Sequence, residues 1–143
     1  MNTIRSRACL IIGVLLALLL GGCSGNLTDK DRILSLYRGN ESAFASAVES
    51  GDYSAVKKLR GVREIHIRED SGEIEFYCGG KGLVPGSSYY GILYSKTDFR
   101  RLAESSPEWF AEDGGYRYEQ SGGDNRFYYE PLGNGFYYYE QHF

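Results

Sequence analysis

Three cysteines, two histidines, three prolines and one methionine are all that the 143-residue chain holds of those types. No C-x-x-C spacing and no Asp/Asn/Gly calcium loop occurs, so neither a metal centre nor a cofactor is expected. The 16 Lys and Arg do not gather into the footprint of a nucleic-acid binder, and the net charge is −3, so no nucleic-acid partner is expected. No apolar run approaches the about 20 residues a membrane-spanning helix takes, and no long internal repeat is visible. Gly79-Gly80-Lys81-Gly82 lacks the four-residue spacing of a Walker loop. Pro85 occupies the third glycine position of a dinucleotide fingerprint, so neither phosphate-binding pattern is met.

What is present begins at the N-terminus. Arg5 and Arg7 precede Ala8–Leu20, a charge-free stretch of the length of a signal-peptide h-region. It ends Leu20-Gly21-Gly22-Cys23, an aliphatic residue, two small ones and a cysteine, which resembles the lipobox of bacterial lipoproteins. That resemblance implies diacylglycerol on Cys23, cleavage before it, and anchoring by two or more acyl chains where one would bind only reversibly. The expected division is 1–22 as signal peptide, 23–27 as lipidated cysteine and short tether, and 28–143 as one domain. The five residues from Cys23 to Thr28 reach at most about 17 Å, which holds the domain close to the membrane. Loss of Arg5 and Arg7 leaves 14 basic against 19 acidic residues, a charge of −5, so the lipid and not a basic patch is expected to provide the hold. Cys78 is then the one free thiol, and no intramolecular disulfide can form.

All 13 Tyr, all 7 Phe and the single Trp lie beyond residue 22, a composition that favours an aromatic-rich antiparallel sheet. Ile33, Tyr37, Phe44, Ala47 and Val48 recur at helical spacing, with Thr28 and Asp31 as a capping signal, Gly39-Asn40 as a kink or break, and Gly51-Asp52 as the stop. Tyr53–Leu59 adds a short helical turn. From Gly61 the period becomes two. If Glu69-Asp70-Ser71-Gly72 is the turn, Arg68 faces Glu73, Ile67 faces Ile74, His66 faces Glu75, and Ile65 faces Phe76. Charges then share one face and hydrophobes the other. Tyr89–Tyr94 reads as a third strand with a bulge or close approach at Gly91. A short helix is expected at Asp98–Glu104 within an irregular stretch. Three more strands follow at Tyr116–Ser121, Arg126–Pro131 and Phe136–Gln141, joined by Gly-rich turns. The predicted class is α+β: an N-terminal helix packed on one face of an antiparallel sheet of five to six short strands.

The central stretch carries a second resemblance. Glu75-Phe76-Tyr77-Cys78-Gly79-Gly80-x-Gly82, then Ser88-Tyr89-Tyr90-Gly91 and Tyr94-Ser95, is similar to a group of small bacterial lipoproteins to which no activity is attached. Their shared pattern is F-x-C-x-G-x-G followed by Y-x-G-F-Y-Y-S. Ile92-Leu93 departs from it, and the likeness covers about a fifth of the chain beyond residue 22. It implies a fold and an address, not a reaction.

No catalytic motif emerges. The strand register sets Cys78 and His66 on opposite faces, and His142 stands one residue from the end, where fraying is expected. Carboxylates are numerous but unpaired in the sequence. The expectation is a membrane-anchored, extracytoplasmic, non-enzymatic binding module, using a tyrosine-rich outer sheet face and the loop Gly79–Ser88. Its candidate ligand-binding residues are Tyr89, Tyr90, Tyr94 and Lys81, and its partners are the membrane, through Cys23, and an envelope glycan or protein. A small envelope hydrolase and a purely structural lipoprotein are the alternatives.

Overall fold

Asp29 starts the helical part. Its side chain accepts a hydrogen bond from the Arg32 amide at 3.0 Å, which caps α1 (Lys30–Arg38). Gly39-Asn40 breaks the helix, as its weak propensity suggests. The computed structural model, which describes residues 25–83 and 86–143, continues with α2 (Glu41–Ser50). Gly51, at φ 72°, ends α2 in the left-handed conformation, and the single turn α3 (Ser54–Lys57) follows. The signal segment, Cys23, Ser24, Val84 and Pro85 lie outside the described residues.

Seven strands form one antiparallel sheet: β1 (Glu64–Arg68), β2 (Glu73–Lys81), β3 (Ser88–Tyr94), β4 (Trp109–Glu112), β5 (Gly115–Glu119), β6 (Arg126–Gly133) and β7 (Phe136–His142). Their spatial order is β1-β2-β3-β7-β6-β5-β4. The chain builds a meander inward from one edge and crosses by α4 (Phe99–Ser105) to the other edge. It then meanders back until β7 closes against β3. The α+β class and the antiparallel sheet are as read from the sequence; the details differ. The expected five to six strands are seven, because Trp109–Glu112 is a strand. Among the described residues the expected N-terminal helix is three short ones, and the short helix expected at Asp98–Glu104 is α4, set between β3 and β4.

The β1–β2 register is the one read from the sequence, from Arg68 opposite Glu73 to Ile65 opposite Phe76. Between Tyr77 and Gly79 the β2–β3 register shifts by one residue. This bulge lies opposite Gly91, where an added Cβ would stand 2.3 Å from the Phe76 carbonyl oxygen, so the close approach admits glycine alone. The first face carries Ile74, Phe76, Cys78, Ile92, Phe136 and Tyr138 against Ile33, Tyr37, Phe44 and Val56 of the helices. Edge-on contact of Phe44 with Phe76, centroids 5.0 Å apart, lies at its centre.

The second face is not an open field of tyrosines. Helix α4 covers part of it, and Phe99 stacks on Tyr129 at 4.3 Å beside Leu93, Tyr139 and Trp109. No tyrosine among the described residues is fully exposed. The aromatics are too many for one core, and the sheet distributes most of them between two.

The tether also differs from expectation. Leu27 is buried and its amide donates to the Cys78 carbonyl at 3.1 Å. The Asn26 amide group bonds both backbone groups of Gly80 at 2.8 Å. Asn26 and Leu27, within the expected tether, thus pack against the end of β2.

Candidate functional site

At the β2–β3 turn, β2 runs on through Gly79, Gly80 and Lys81, and β3 starts at Ser88. The expected loop Gly79–Ser88 is thus reduced to 82–87. It is tied to the chain end: the Gly86 amide donates to the Phe143 carbonyl at 2.8 Å, and the Phe143 amide to the Ser87 carbonyl at 2.9 Å. This end of the first face carries a run of polar and aromatic side chains.

Strand pairing assembles them. Lys81 pairs with Ser88, Ser88 with His142, and His142 with Arg126, so all four project from one face. Ser88 Oγ and His142 Nδ1 are 2.7 Å apart, and His142 Nε2 is 3.5 Å from Glu140 Oε2. The Tyr90 ring meets the His142 ring edge-on at 6.0 Å, with Lys81 Nζ 5.8 Å above its centroid. Beside them opens a hollow of about 350 Å³, whose lining includes Ser88, Arg117, Asp124, Arg126 and His142. Arg117 pairs with Glu112 and lies over the Tyr128 ring. Arg126 makes no side-chain hydrogen bond or ion pair among the described residues, so its guanidinium is available to an anion.

Of the four candidates read from the sequence, Tyr90 and Lys81 meet here. Tyr89 points to the second face, between Tyr77 and Phe143 with ring centroids 6.0 and 5.9 Å away. Tyr94 sits at the far end of β3 against Phe136 at 5.2 Å, as part of the core. His142 is a paired residue of a central strand rather than a frayed end, because β7 is hydrogen-bonded on both sides. Ser88, Arg126 and His142 were missed because their meeting depends on the β3–β7 pairing, between strands distant in the chain.

No family model, no curated protein and no solved structure matches this chain. The local chemistry alone bears on its role.

A second polar cluster occupies the other face. Glu73 and Glu75, which the sequence reading set on one face opposite Arg68 and His66, are joined there by Ser95 and Tyr139. Ser95 Oγ donates to Glu73 at 2.8 Å, the Tyr139 hydroxyl donates to Glu75, and Arg68 lies within 3.7 Å of both carboxylates. Burial, then the neighbouring Glu75, pushes the Tyr139 hydroxyl pKa well above its ordinary value. Each carboxylate has its donors and the phenol is held neutral, which is the pattern of a satisfied buried network. Cys78 is likewise structural: it is buried on the sheet face opposite His66, and burial raises its pKa to about 12. Among the described residues, no group of His, Cys, Asp and Glu is arranged to hold a metal, and no helix is long and apolar enough to cross a membrane.

Proposed function

We propose that this chain is a lipoprotein anchored through Cys23 on the extracytoplasmic side of a membrane. Its domain is a non-enzymatic binding module for an acidic envelope glycan, such as a carboxylate-bearing cell-wall fragment. The lipobox-like Leu20-Gly21-Gly22-Cys23 supports the address. One observation carries the ligand class: Arg126, His142 and Arg117 converge on an open hollow beside the Tyr90 ring and Lys81. Guanidinium forks suit carboxylates, and a tyrosine ring offers a sugar an apolar face at low entropy cost.

The test is co-sedimentation of the mature protein with purified cell-wall material. Arg126→Ala and Tyr90→Ser are each expected to weaken binding about tenfold, the loss of one charged or stacking contact of about 1.4 kcal/mol, with little change in melting temperature. Unaltered binding by both variants would exclude this hollow. Mass spectrometry of the mature N-terminus checks the anchor, since any start other than a lipid-modified Cys23 removes it.

A hydrolase is the second reading, favoured by the Ser88–His142 distance of 2.7 Å with Glu140 behind the ring. With its proton on Nε2, His142 would accept the Ser88 proton at Nδ1 as Oγ attacks an ester carbonyl. The neighbouring Gly86 and Phe143 amides are already engaged with carbonyl groups, which leaves those two unable to stabilise an oxyanion and ranks this reading second. Labelling of Ser88 by a fluorophosphonate, abolished in Ser88→Ala, would reverse the order.

A further inference from the structure

The sequence expectation that lipid alone holds the domain to its membrane overlooks residues 57–63. This stretch contains Lys57, Lys58, Arg60 and Arg63, and folding adds Arg32 from α1. Arg32, Arg60 and Arg63 line two adjoining open grooves. One, of about 780 Å³, is lined by Gly25, Asn26, Arg32, Leu36 and Arg60 among others. The second, of about 330 Å³, shares Gly25, Arg60 and Gly61 and adds Leu59 and Arg63. None of the described lining residues is acidic, on a chain whose portion after residue 22 carries −5 (14 basic, 19 acidic residues).

We propose that this basic double groove binds the headgroups of anionic phospholipids and seats the domain on the membrane that holds its lipid anchor. The inference rests on the lipoprotein reading for its location and on the groove for its chemistry. The location follows from the chain path. Gly25, shared by both grooves, stands two positions after Cys23. Asn26 and Leu27, clamped to Gly80 and Cys78, fix that entry point relative to the arginines. Three residues from Cys23 to Asn26 span at most about 10 Å, so an acylated Cys23 keeps the groove within reach of the headgroup layer.

The chemistry follows from the side chains. Arg32 is exposed and makes no side-chain hydrogen bond or ion pair among the described residues. Arg63 reaches Asn26 Oδ1 at 3.4 Å and lies over the Tyr77 ring, which orients it beside the entry point. Guanidinium groups chelate phosphate diesters through paired N–H donors. The half-buried Leu36 and Leu59 supply apolar contact for the glycerol and first methylenes above the phosphate. Lys57 and Lys58, both exposed, add long-range attraction to a negative surface. A lipid anchor plus a basic patch is a two-signal attachment, and the second signal fixes an orientation that acyl chains alone leave free.

Vesicle flotation tests it, using the mature chain without residues 1–22 and with Cys23→Ser, so that no acyl chain contributes. Vesicles of phosphatidylcholine alone are compared with vesicles containing phosphatidylglycerol. Binding is expected only to the latter, weakened by salt, and reduced at least about tenfold by Arg32→Gln with Arg60→Gln. Circular dichroism of that double variant confirms that it folds; if it does not, Lys57→Gln with Lys58→Gln takes its place and is expected to weaken binding in the same direction. Equal binding to neutral vesicles, or binding unchanged by the folded variant, overturns the proposal. So does full displacement by millimolar inorganic phosphate, which would indicate a site for the free anion. The flotation result reads the groove alone and the mass of the mature N-terminus reads the anchor alone, so either can fail without the other.

Discussion

Cys78 occupies the β2 bulge with its side chain among Phe76, Ile92 and the helices, fully shielded from water. Desolvation disfavours the thiolate and raises the thiol pKa from 9.0 to about 12. The folded state therefore binds this proton more tightly than the unfolded chain does. Its contribution to stability is complete below about pH 9 and is lost as pH rises through about 12. Buried Tyr138 and Tyr139 shift in the same direction, chiefly by desolvation, so alkaline unfolding is expected to begin in that window. Cys78→Ala should cost about 1–2 kcal/mol at neutral pH through the space it leaves. Urea midpoints measured against pH should show the gap between the two proteins narrowing above pH 9. A constant gap, or rapid reaction of the native thiol at neutral pH, would show that it is not buried.

At the scale of elements, the least obvious piece is the strap 26–27 laid along the end of β2. It fits because Gly79 has no side chain: an added Cβ would stand 2.5 Å from Asn26 Oδ1 and 2.6 Å from the Leu27 amide. Gly79→Ala is expected to lift the strap, expose Leu27 and lower stability by about 2–4 kcal/mol, within the range for overpacking and lost core contacts. A thermal melt reads the loss, and limited proteolysis should cut near residues 25–28 in the variant only. An unchanged melt and digest would mean that the strap contributes nothing. Strand β4 could have been found in the sequence from Asp113-Gly114, a dipeptide suited to a two-residue hairpin turn, whose φ angles are 48° and 81°.

Across the whole molecule, the two meanders meet only where β3 pairs with β7, and those strands have partners on both sides. The β3–β7 contact joins residues about fifty positions apart, such as Ser88 with His142, and must form late or at high entropic cost. Native-state hydrogen exchange should therefore be slowest at Ile92, Tyr138 and Tyr139 and fastest in the edge strands β1 and β4. Faster exchange in β7 than in β4 would contradict the closing-strand architecture.

Alternation and turn chemistry are local, and the sequence alone determined what depends on them. The α+β class, the break at Gly39-Asn40, the whole β1–β2 register and the short helix after Asp98 are all of this kind. Opposite charges at Arg68 and Glu73 and hydrophobes at Ile67 and Ile74 permit one alignment, since a slip of one residue would invert both faces. Tertiary structure decided whatever needs partners remote in the chain. It separated Tyr90 from Tyr94 on the same face, because alternation tells which residues share a face but not which end of it will hold a hollow. It gathered Ser88, Arg126 and His142 at one sheet end, Glu73 and Glu75 with Tyr139 on the other face, and Arg32 with Arg60 and Arg63 at the chain entry. Each grouping is a product of strand order and helix docking, and these are set by the global sharing of most of the aromatic residues between two cores, which no local pattern records.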